Sequence, residues 1–167
     1  MKAIYFNMAG ALALTFGFAG FTPMSVQGQT LAQIEAEPYY LDQPQTPGTW
    51  SYEDEPGEKL ALFGDDPREP VFLLRCASGT FAIARVTDGS QSENRAMRIV
   101  TETTTRQLEA SPVPERNRIL AASIDPRDPL LDAMAITKGR IAVEVEGMPA
   151  LYVPAWVEIT RVIEDCR

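Results

Sequence analysis

The sequence predicts a mainly β fold, an antiparallel β-sandwich or small barrel carrying two short helices. Three observations predict it. Between Thr49 and Ile124, short apolar or alternating runs follow one another with turn residues between them and no helical periodicity. Two later segments, opening at Asp128-Pro129 and at Pro154, switch to helical spacing. At 167 residues the chain is long enough for one ordinary core and too short for two.

Lys2 is a minimal positive start, and Ile4 to Phe21 is apolar apart from Asn7, Thr15 and small residues. Val26-Gln27-Gly28 then meets the small-x-small requirement of a signal peptidase, so residues 1–28 are read as a signal peptide. An uncleaved anchor is the competing reading, because about 18 apolar residues just span a bilayer. Gly10, Gly17 and Gly20 weaken it by lowering the hydrophobicity of the run. No cysteine follows the run, which excludes a lipoprotein anchor. The expected location is periplasmic or secreted, with no membrane span in the mature chain.

Residues 29–48 are rich in Gln, Glu and Pro, with Pro38, Pro44, Pro47 and Gly48 as breakers, and are read as a flexible tether. A single β-rich domain is expected over 49–167. Strands are predicted near Thr49–Tyr52, Lys59–Phe63, Val71–Cys76, Thr80–Val86, Ala96–Thr103, Arg106–Ala110 and Arg118–Ile124. Glu55-Pro56-Gly57, Gly64 to Pro70, Ser78-Gly79, Asp88-Gly89 and Ser111 to Pro114 supply the turns. Asp128-Pro129 then opens a helix, an acceptor side chain at the N-cap before a proline that needs no N–H. Leu130, Leu131 and Met134 are its expected buried face. Ile141, Val143 and Val145 alternate with polar or small neighbours and predict a half-buried strand, and Gly147-Met148-Pro149 turns it toward another at Leu151–Val153.

The last helix is predicted from Pro154 to the C-terminus. Trp156, Ile159, Ile163 and Cys166 recur at spacings of three and four and share a face. Cys76 shares a strand face with Phe72 and Leu74. Both thiols therefore point inward, and in an oxidising compartment two cysteines pair. The expected Cys76–Cys166 bridge closes a loop of about 90 residues, which chain entropy values at roughly 4–5 kcal/mol. Trp50, Phe72, Leu74, Trp156, Ile159 and Ile163 are expected to pack around it.

The residue inventory then narrows the chemistry. The formal net charge is −8, and removing residues 1–28 takes away one lysine and no acid, leaving −9. Such a surface repels nucleic acid and anionic lipid. Without histidine, Ser-His-Asp and Cys-His catalysis and most zinc or copper sites are excluded. Lys59 and Lys138, the only lysines left in the mature chain, sit in no catalytic motif. Carboxylate pairs remain: Glu53, Asp54, Glu55 and Glu58 form one run, and Asp125, Asp128 and Asp132 another. Their simpler readings are a solvated hairpin end, a turn and a helix cap. The aspartate group lacks the spacing of a calcium loop. Arg75, Arg85, Arg98 and Arg106 fall in strands and are read as ion-pair partners, an anion-binding face being the alternative. Trp50, Tyr52, Tyr152 and Trp156 are read as packing rather than as a ligand platform. No cofactor and no metal is expected.

Asp128-Pro129-Leu130-Leu131-Asp132-Ala133-Met134, Lys138-Gly139-Arg140 and the ending Pro154-Ala155-Trp156-x-Glu158-x-x-Arg161-Val162-Ile163-Glu164-Asp165-Cys166-Arg167 resemble uncharacterised exported proteins of alphaproteobacteria. In layout the chain is also distantly similar to exported β-domains of the invasion-associated locus B and VasI kinds. That resemblance implies an inward strand cysteine with a second near a C-terminal amphipathic segment, and no functional residues. The expected function is non-enzymatic, binding a protein or cell-envelope component in the periplasm. The alternatives are a histidine-free carboxylate-dependent hydrolase of envelope glycans and a carrier enclosing a small apolar ligand.

Overall fold

The computed structural model describes residues 39–167; the expected leader and residues 29–38 of the expected tether lie outside them. The described elements are a 3-10 turn (Tyr40–Asp42), β1 (Thr49–Glu55), β2 (Glu58–Gly64), β3 (Phe72–Ala77), β4 (Thr80–Val86), β5 (Arg95–Val100), β6 (Thr105–Val113) and β7 (Arg116–Ile124), then α1 (Pro129–Ile136), β8 (Arg140–Val145), β9 (Leu151–Pro154) and α2 (Val157–Glu164). All pairings are antiparallel, in the order β1-β2-β3-β4-β7-β6-β5-β8-β9. The fold is thus mainly β, as the short punctuated runs predict.

The sheet is not closed, but its edges come together without a shared ladder. Thr46 N–H donates to Tyr152 O at 3.0 Å, and Trp50 Nε1–H donates to Pro154 O at 2.8 Å. Gly48 lets the chain enter this seam: its φ is +129°, and a Cβ there would stand 2.8 Å from the Gly64 carbonyl carbon. The β3–β4 hairpin turns on Ser78 and Gly79, both at positive φ, which matches the twist of the strands it joins.

Side chains alternating along the strands divide the sheet into two faces. Phe63, Phe72, Leu74, Phe81 and Ile83 point inward from one half, and meet Met97, Ile99, Ile141, Val143 and Val153 from the other in one core. Each such side chain contributes roughly 1.5–3 kcal/mol by leaving water. The helix α2 packs on β1, β2 and β3, and α1 packs on α2. The start of α1 follows the local chemistry: Asp128 accepts from Leu130 N–H at 2.9 Å, and Pro129 stands at the first turn.

Four expectations need correction. Residues 39–48 are not a free tether: Tyr40 is buried, and Arg140 Nη1 donates to the carbonyls of Leu41 and Gln43. They form an arm tied to β8 through Arg140 and to the edge of β9 through the Tyr152 backbone. The expected turn at Ser111–Pro114 is in part strand, because β6 runs on to Val113 with an irregularity between Pro112 and Val113, and the chain reverses at Glu115 with φ +63°. Proline is accommodated where the ladder is already broken. Pro154 ends β9 instead of opening a helix. Trp156 is the extended residue before α2 and is 45% exposed, not packed at the bridge. A residue outside the helix does not share its periodicity, so the buried face is Ile159, Val162 and Ile163.

Candidate binding surface

The disulfide joins Cys76 on β3 to Cys166 just beyond α2, with Cα atoms 5.5 Å apart. Cys76, Phe72, Leu74, Ile159 and Ile163 are buried in the same cluster, and Trp50 joins it through Phe63 and Phe72 at centroid distances of 5.3 and 6.0 Å. Beside the bridge, the Tyr52 hydroxyl donates to Asp165, and the Arg161 guanidinium lies 4.0 Å from the Tyr52 ring centroid. These groups clamp α2 onto the sheet.

The opposite face of the same strands is different. Direct cross-strand partners there form one row of Leu62, Leu73, Ala84 and Ala121, and a neighbouring row of Leu60, Arg75, Ala82 and Ser123. Val86 and Ile119, also paired, border them on the other side. An antiparallel sheet facing water ordinarily shows polar side chains there. Here the middle of the β2-β3-β4-β7 face is apolar, Arg75 and Ser123 interrupt it on one side, and with the 67–71 loop and the β6–β7 turn, which bring charged residues to its rim, it lines an open trough of about 1420 Å³. Alanines over β4 and β7 keep its floor low, while Leu60, Leu62 and Leu73 stand higher over β2 and β3.

Arg85 braces one end of this trough. Its Nη1 donates to Val71 O at 2.7 Å and Val86 O at 3.1 Å, while its buried Nε has no partner among the described residues. Burial lowers its pKa, and the Asp88 charge opposes the shift. The β3–β4 hairpin does not unite Arg75 with Arg85: Arg75 pairs with Ala82 on the outer face, and Arg85 falls in register with inward-facing Phe72. Arg75 instead pairs with Glu58, Arg98 with Glu144 and Arg106 with Asp128, so these strand arginines serve as ion-pair partners.

Five of the seven carboxylates considered for catalysis are likewise engaged, Glu58 through Arg75 as above. Asp54 pairs with Lys59; Asp125 accepts from Arg127 N–H at 2.7 Å; Asp128 caps α1; and Asp132 meets Arg167 at 2.8 Å. Among the described residues no group of three or more Cys, Asp or Glu is arranged to hold a metal ion. Nor is any helix among them long and apolar enough to cross a membrane. Sequence reasoning missed the trough because its rows are assembled across strands. The one available signal was that Leu60 and Leu62, and likewise Leu73, stand on the face opposite the core residues Phe63 and Leu74.

Comparison of the chain with protein-family models, with curated proteins and with solved structures finds no match.

Proposed function

We propose that this is a non-enzymatic exported binding domain, which holds a protein or another cell-envelope component on the outer face of β2, β3, β4 and β7. One observation carries the reading. Among the outward-facing apolar residues of the sheet, Ala142, Leu62 and Ala84 are buried, while Leu60, Leu73 and Ile119 are only half-buried and line the open trough. An apolar face rimmed by charged residues is the usual mark of an interaction site. The disulfide supports an oxidising compartment, where such bonds persist.

The test is charge placed on the trough. Leu73→Asp and Ile119→Asp are each introduced, and the variants are checked for unchanged thermal midpoint. Components retained from envelope extract by the wild-type protein are then compared. Loss of one and the same component from both folded variants supports the reading. Identical retention by wild type and variants overturns it.

A further inference from the structure

A second surface, separate from the trough, points to a different partner. Among the described residues the exposed large hydrophobic side chains are Tyr39, Ile136, Trp156 and Val157, at 57%, 67%, 45% and 71%. Single exposed hydrophobics scattered over a surface need no explanation. Contacts between neighbouring residues bring the segments that carry these four into one region, the pole of the domain. The Gly139 carbonyl accepts Ala155 N–H at 3.0 Å, and Leu41 Cδ2 lies 3.7 Å from where a Cβ on Gly139 would stand. The Thr160 hydroxyl donates to Ala135 O at 3.4 Å. Each of the four is within three residues of one of these contacts.

We propose that this pole docks at the interface of a lipid bilayer. Two features favour lipid over a protein partner. The first is composition: Trp and Tyr have apolar rings with polar edges, which suit the headgroup level, and Ile and Val reach past it into the acyl region. The Trp156 indole N–H has no partner among the described residues and is available to headgroup oxygens. The second is continuity. The chain enters the described fold at Tyr39, inside the pole, and residues 22–38 lead back from there to the apolar run Ile4–Phe21. Read as a signal peptide or as an anchor, that run would meet a bilayer, and the pole is the part of the domain nearest to it along the chain. With a formal net charge of −8, contact has to come from apolar insertion and not from attraction to anionic lipid.

Trp156 provides the probe. The chain has two tryptophans, and Trp50 is 7% exposed. Full-length protein is mixed with vesicles of phosphatidylcholine or of phosphatidylcholine brominated on its acyl chains, and tryptophan emission is compared. Bromolipid is expected to quench the Trp156 component, with loss of that quenching in Trp156→Phe. In Ile136→Asp/Val157→Asp, which keeps Trp156 and alters only exposed positions, quenching is expected to vanish while circular dichroism is unchanged. Adding phosphatidylglycerol should weaken quenching at low salt, and salt should restore it. Absence of quenching in the folded wild type overturns the proposal, as does equal quenching in the double variant. Concentration-dependent dimerisation abolished by Ile136→Asp/Val157→Asp, without quenching, would assign the pole to a second copy instead and also overturn it.

Discussion

Tyr52 joins sheet to helix through a single phenol. It lies in an inward row with Ala61, Leu74 and Ile83, and its hydroxyl reaches Asp165 at the end of α2. Burial pushes its pKa up to about 12, helped by the hydrogen bond to Asp165 and the charges of Asp165 and Asp54, and opposed by Arg161. A phenol that holds its proton more tightly folded than unfolded stabilises the fold fully below its unfolded pKa of 10.0, and that contribution is lost as pH rises toward about 12. The wild-type thermal midpoint is therefore expected to fall across that window more steeply than that of Tyr52→Phe. Superimposable alkaline profiles would remove Tyr52 from this role. The neighbouring Arg161–Asp165 pair, at 4.0 Å with both side chains well exposed, adds little of its own. Of the positions that carry local chemistry, Asp128 was legible because capping is decided within a few residues. Trp156 was not: whether the helix starts one residue earlier or later is decided by the strand before it, where Pro154 is held by Trp50.

Among the elements, the arm over 39–48 departs most from expectation. Its composition predicts a solvated tether, and its prolines keep it from forming an α-helix or a central strand, leaving a single 3-10 turn at Tyr40–Asp42. What ties it down lies about a hundred positions away: Arg140 takes the Leu41 and Gln43 carbonyls, and Tyr152 exchanges hydrogen bonds with Thr46. Arg140→Ala removes two charge-assisted bonds and is expected to cost about 1–3 kcal/mol. Amide exchange at Thr46 and Tyr152 should accelerate in that variant. Unchanged protection would mean that packing of Tyr40 alone holds the arm. The strands themselves were legible where alternation is clean, as at Ile141, Val143 and Val145. Pro112 was misleading because proline marks a turn by default, and only pairing with Leu120 reveals that it sits in β6.

For the whole molecule, the disulfide ties residue 76 to residue 166, across most of the described chain. Its loss on reduction, or in Cys166→Ser, is expected to lower unfolding free energy by about 2–5 kcal/mol. Urea titration with and without reductant measures the difference. No difference would mean that burial of Ile159, Val162 and Ile163 suffices to hold α2. Reading the sequence placed both thiols on inward faces from periodicity alone, since Cys76 follows Phe72 and Leu74 at every second position and Cys166 follows Ile163 by three.

Alternation, helix capping, turn residues and cysteine parity are local or compositional properties, and from them the mainly β class, the two helices and the bridge could be read directly. The trough and the exposed pole are not local. Leu62, Leu73, Ala84 and Ala121 come from four strands and meet only through pairing register, so no window of the chain contains their row. The pole depends in the same way on Gly139 bringing the arm and the last strand together. Which apolar residues end up covered is a question of area left over after the whole sheet has folded, and that area exists only in the tertiary structure.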